Sequence, residues 1–95
     1  MLTQTEFHQS LINQSISENK MARVYFKHNK PPLFGRFVRL EGDKEFESKG
    51  FARFLSRAKD FDFDTLSIRE KLDRTRLHLV SEIKHINLFV CETMI

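Results

Sequence analysis

The run Asp60-Phe61-Asp62-Phe63-Asp64 sets three carboxylates at alternate positions, an oxygen-rich edge of the kind a hard cation selects. A calcium loop also needs a glycine at its sixth position and a bidentate glutamate at its twelfth. Counted from Asp60, those positions hold Thr65 and Lys71, so the run reads as a solvated turn whose two phenylalanines tuck into the core. His8, His28, His78 and His85 are not at metal-ligand spacing, and none of them stands beside Cys91. Ser56 and Ser81 lack the glycines of a nucleophile elbow, and Gly35, Gly42 and Gly50 lie too far apart to cradle a phosphate. No metal, no cofactor and no enzymatic activity are expected.

Binding is the chemistry that remains, and composition bounds it. Ninety-five residues suit a single domain over 1–95, near the size at which association helps to bury apolar surface. The excess of 16 Lys+Arg over 13 Asp+Glu, +3 in all, is a mild bias toward anionic partners. Ten Phe with little Gly or Pro argue for a packed interior. A lone Cys91 forms no internal disulfide and reads as a buried thiol in a reducing cytosol. No run is long enough for a membrane span, and the opening MLTQTEFHQS lacks the pattern of a signal peptide, so a soluble cytoplasmic chain is expected.

The elements that must present any binding residue follow from periodicity. Thr3-Gln4-Thr5-Glu6 fits a capping box and predicts a helix over 3–18 that ends near Asn19. Phe7, Leu11, Ile12 and Ile16 form its apolar stripe, opposite Gln9, Ser10, Asn13, Gln14 and Ser17. Over 22–28 the period becomes two, a strand with Val24 and Phe26 facing one way and Arg23, Tyr25 and Lys27 the other. Pro31-Pro32 breaks this strand, and a second follows over 33–40, with Gly35 where it must bend or meet another backbone closely. Residues 41–50 read as a charged loop or splayed strand ends. A third strand covers 51–57, with Phe51 and Leu55 on one face and Ala52 and Phe54 on the other. Residues 58–75 read as an insertion, with Asp64 or Thr65 able to cap a short helix over 66–72. Strands over 76–80 and 83–90 complete the order, joined by almost no connection and placed at the ends of the sheet, where unpaired backbone invites another chain.

One helix followed by a five-stranded, strongly bent antiparallel sheet resembles the Sm-like fold of the Sm, LSm and bacterial Hfq proteins. The first motif of that family can be followed in Val24 and Phe26, the turn at Asn29, and Gly35-Arg36-Phe37-Val38-Arg39-Leu40-Glu41. The second survives as the apolar skeleton of Leu77-His78-Leu79-Val80-Ser81-Glu82-Ile83-Lys84-His85-Ile86. Val80-Ser81 stand there in place of the Arg-Gly of Sm proteins, and the Lys-His pair of Hfq is missing. The fold class expected is therefore mainly β with one N-terminal helix, as a small five-stranded barrel of Sm-like type, an SH3-like barrel being the alternative.

The resemblance implies a homo-oligomeric ring in which strand four of one copy pairs with strand five of the next, and a site for single-stranded RNA near the pore. Phe46 as a stacking platform, Lys44 and Lys49 as phosphate contacts, and Ser81 in the second turn are the residues it points to. Four acids against two lysines leave the first loop net negative by 2, which opposes phosphate, so the pore site is expected to be degraded. Arg23, Lys27, Arg36, Arg39, Arg53 and Arg57 are the basic positions that could serve instead. An oligomeric barrel acting as a scaffold without RNA is the alternative function.

Overall fold

The computed structural model describes residues 3–56 and 63–89. Arg57, Asp60–Asp62, Val90 and Cys91 lie outside them, and with them two of the three carboxylates of the acidic run, the thiol and the last residues assigned to strands three and five. Helix α1, Gln4–Glu18, starts at the predicted capping box: the Thr3 hydroxyl accepts from the Glu6 amide at 3.1 Å, and the Glu6 carboxylate accepts from the Thr3 amide at 2.9 Å. It stops at Asn19, which takes the left-handed conformation at φ 54°. Three of the four residues of the predicted stripe face the core, joined there by two polar ones. His8, Ile12 and Ser15 are buried with Leu11 and Ile16 packed beside them, whereas Phe7 is 51% exposed. Ser15 is hidden because its hydroxyl is doubly used, donating to the Lys20 carbonyl at 2.8 Å and accepting from the Phe37 amide at 3.1 Å.

Strands β1 (Ala22–Phe26), β2 (Leu33–Val38), β3 (Phe51–Ser56), β4 (Thr75–Leu79) and β5 (Ile83–Leu88) form one antiparallel sheet in the order β4-β3-β2-β1-β5. The last two strands thus occupy the two edges, as expected. β2 divides its pairing: Leu33, Phe34 and Gly35 face β1, while Gly35 through Val38 face β3. Gly35, opposite both Ala22 and Ser56, is where the strand changes partner. A Cβ built there would fall on the Leu55 carbonyl, so the residue is required by the close approach of β3.

Past that bend the sheet curls enough for Phe26 on β1 to meet His78 on β4, ring centroids 5.2 Å apart, with two strands between them in the order. The inner face holds Ile12, Val24, Phe26, Phe37, Phe54, Val80, Ile83 and Ile86. Val38, Leu40 and Leu55, which alternate with these along β2 and β3, make a smaller core under Phe63 and Leu66.

Two segments depart from their sequence reading. Residues 41–50 hold a helix, α2 (Asp43–Ser48), and the helix within the insertion is α3 (Ile68–Arg74), capped by Ser67 with Glu70 and not by Asp64 or Thr65. With three α-helices among the described residues the architecture is mixed α/β and not mainly β. A 3-10 turn, Val80–Glu82, supplies the short link from β4 to β5. No helix among the described residues is long and apolar enough to cross a membrane.

Candidate nucleic-acid interface

The structure sorts the basic positions first. Arg53, placed by the sequence among possible phosphate contacts, is buried. Its guanidinium grips Asp43 with Nε to Oδ2 at 2.8 Å and Nη2 to Oδ1 at 3.0 Å, and its Nη1 donates to the Thr75 hydroxyl at 2.9 Å. Asp43 also accepts from the Leu40 amide at 2.8 Å, and Thr75 donates onward to the Lys71 carbonyl. Burial pushes the Asp43 carboxyl up, but the bond from Arg53, the Leu40 amide and the charges of Arg53 and Arg39 outweigh it and hold the group below its ordinary range. This paired carboxylate and guanidinium tie α2, β3 and β4 together and are structural. Arg39 bonds Glu47 at 2.6 Å and Asn13 at 3.2 Å, and Arg36 bonds Asn19 at 3.1 Å. Arg57 lies outside the described residues.

Arg23 and Lys27 remain, and Arg23 stands on a different kind of surface. Cross-strand pairing puts Phe34, Arg23 and Asn87 in one row across β2, β1 and β5, and Tyr25 and His85 in the next, all on the face turned away from the inner core. The Arg23 guanidinium lies 5.7 Å from the Phe34 centroid and 5.6 Å from that of Phe89, and the two rings are 5.6 Å apart. Phe34 is 41% and Phe89 36% exposed. Beside them Tyr25 and His85 rings approach to 5.9 Å, and His85 Nε2 donates to Asn87 Oδ1 at 2.7 Å. A shallow cavity of about 350 Å³ is lined by Tyr25, Lys84, His85 and Asn87. Lys84 projects there from a bulge, because Tyr25 pairs with His85 while Phe26 pairs with Ile83, leaving Lys84 between them without a cross-strand partner.

These are the parts a single strand of nucleic acid requires: rings for stacking, cations for phosphate, and an amide for base edges. None of the residues named on this face is acidic.

The residues predicted from the family resemblance are spread along one end of the sheet. Lys44 lines a cavity of about 450 Å³ with Arg39, Leu40, Glu41 and Gly42. Phe46 is exposed, with its ring edge-on to Phe51 at 6.5 Å. Lys49 caps the end of α2, and the Gly50 carbonyl after it accepts from the Val80 amide at 2.8 Å, which sets Lys49 beside the turn that carries exposed Ser81. Asp43 and Glu47 are paired with Arg53 and Arg39, so two of the four acids of this segment are compensated by cations outside it. Tyr25, Phe34, Asn87 and Phe89, which the structure gathers on this face, are not among the candidates read from the sequence. The available signal was Tyr25 between Arg23 and Lys27 at alternate positions; Phe34 and Asn87 join them only through the strand register.

Among the described residues, no group of three or more His, Cys, Asp and Glu could hold a metal ion. Compared with protein-family models, curated proteins and solved structures, the chain matches none.

Proposed function

We propose that this chain is a small, Sm-like RNA-binding module, a binding protein and not an enzyme, that takes single-stranded RNA along the outward face of β1 and β5. The observation that carries the reading is Arg23 lying against the exposed, mutually touching rings of Phe34 and Phe89, next to the cavity of Tyr25, Lys84, His85 and Asn87. Bases stack on the rings while Arg23 and Lys84 meet phosphates, and the Asn87 amide reads a base edge. The segment with Lys44, Phe46, Lys49 and Ser81 is a second, weaker contact. In this reading the sheet curls into a barrel, and copies join β4 to β5, which removes both open edges at once. The lone Cys91, which has no internal partner for a disulfide, fits a reducing, cytoplasmic setting.

Fluorescence anisotropy with U-rich and A-rich oligonucleotides at low salt tests this. Binding weakened about tenfold by Arg23→Ala with Phe34→Ala, and less by Phe46→Ala, is expected. No binding to either oligonucleotide sinks the reading.

One feature favours the scaffold alternative. Ile68 and Leu72, one turn apart on α3, are 57% and 50% exposed, and Leu79 is exposed on the edge strand. A stable oligomer in light scattering that ignores RNA and is broken by Leu72→Glu selects this second reading.

A further inference from the structure

On the opposite side of β1 from Tyr25 there is a second cleft, of about 200 Å³, lined by Phe26, Lys30, Pro31, Leu33 and His78. The curl of the sheet builds it by bringing Phe26 and His78 together, with ring planes 39° apart. Its outer wall is the β1–β2 turn. His28 and Asn29 take left-handed conformations there, at φ 63° and 61°, and Pro31 fixes its own φ, so the wall is set before any ligand arrives.

Three features give the cleft a chemistry. Its floor and walls are aromatic and apolar. Lys30 Nζ stands 6.0 Å from the Phe26 centroid, and Arg76, two residues from His78 on the same face of β4, is near enough for its charge to act on the His78 ring. His78 is held below its ordinary range by burial first and then by Lys30 and Arg76, so at neutral pH its imidazole offers one donor and one acceptor. None of the lining residues is acidic.

We propose that this cleft binds one nucleotide, the base lying flat against Phe26 and His78 and the phosphate held by Lys30 and Arg76. The volume admits a single base and little more. Lys30 leaves the face of Phe26 when the base takes its place, and its ammonium moves to the phosphate. His78 reads the base edge. This goes beyond the strand-binding reading, because the cleft shares no residue with the outward face, and its ligand is either a free mononucleotide or one nucleotide of a bound strand.

NMR titration of the full chain with adenosine 5′-monophosphate, uridine 5′-monophosphate and ribose 5-phosphate tests it. Ring resonances of Phe26 and His78 should move with at least one of the two nucleotides and hardly with ribose 5-phosphate. Lys30→Glu, at an exposed turn position, should weaken that titration about fivefold or more, His78→Gln should weaken it too, and Arg23→Ala should leave it unchanged. Movement of the same rings with an oligonucleotide but with neither mononucleotide assigns the cleft to a strand; movement with a mononucleotide alone assigns it to free nucleotide. Rings that stay still with every probe, or a titration indifferent to Lys30→Glu, overturn the proposal. An oligonucleotide that still binds through Arg23 and Phe34 in that case leaves the strand reading standing.

Discussion

Phe26 and His78 touch across the curl of the sheet, 5.2 Å between ring centroids, although two whole strands separate β1 from β4 in the ladder. The contact is made by a neutral imidazole, and pH should reveal it. Burial, then Lys30 and Arg76, lower the proton affinity of His78; burial, then His85 and Lys27, do the same to His8 on α1. Between the ordinary histidine value of 6.5 and the depressed folded values, the unfolded chain binds more protons than the folded one. Stability is therefore full above that value and is lost as pH falls through it. Urea midpoints at pH 7.5 and 5.5 should show the fall, and His78→Gln should reduce it; a midpoint that rises on acidification contradicts the assignment.

The Arg53–Asp43 pair predicts a large loss from a single change. Arg53→Leu strands a buried carboxylate and should cost about 3–5 kcal/mol in urea unfolding, whereas Arg53→Leu with Asp43→Leu should cost less than the two singles together. Arg53→Lys keeps the charge but not the fork and should recover only part. Because the folded Asp43 carboxyl sits below its unfolded value of 3.8, the stability it contributes is present above that pH and disappears as pH falls below it.

Gly35→Ala should be poorly tolerated even though alanine favours neither partner strand. The added methyl meets the backbone of Leu55 and Ser56, which cannot rotate away, and about 3 kcal/mol of destabilisation is expected. A denaturation midpoint within error of the parent would show that β2 and β3 can separate at this point.

Salt dependence should separate a phosphate contact from a stacking one. Arg23→Ala should lower the slope of log affinity against log salt by about 1 for an oligonucleotide, and Phe34→Ala should weaken binding with the slope unchanged. Equal slopes for parent and Arg23→Ala would place the phosphates elsewhere.

Much of this architecture could be read from residues and their spacing. Thr3 and Glu6 announced α1, the alternation of Val24 and Phe26 with Arg23 and Tyr25 announced β1, and a glycine inside a strand marked the change of partner at Gly35. α2 could not be read. Its N-cap is Gly42 with no side-chain cap, its only apolar residue is Phe46, and what secures it is the contact of Asp43 with an arginine ten positions on. The cap of α3 was visible as Ser67 and Glu70 but stood behind a stretch of acids and phenylalanines that drew attention to Asp64. Phe7 was misplaced because an apolar stripe overlooks polar side chains, and here His8 and Ser15 take the buried positions. The Arg23 surface needed the register: Phe34 and Asn87 are far from Arg23 in sequence and adjacent to it only once β2 and β5 are laid beside β1.

The hydroxyl of Ser15 also has a kinetic meaning. Phe37 belongs to the sheet, yet its amide proton is guarded by a helix residue, so it should exchange with heavy water at the rate at which α1 lifts, and not at the rate at which the strands part. Ser15→Ala should release that one proton while the amides of β3 keep their protection, giving a single isotope signal that times the detachment of the N-terminal helix.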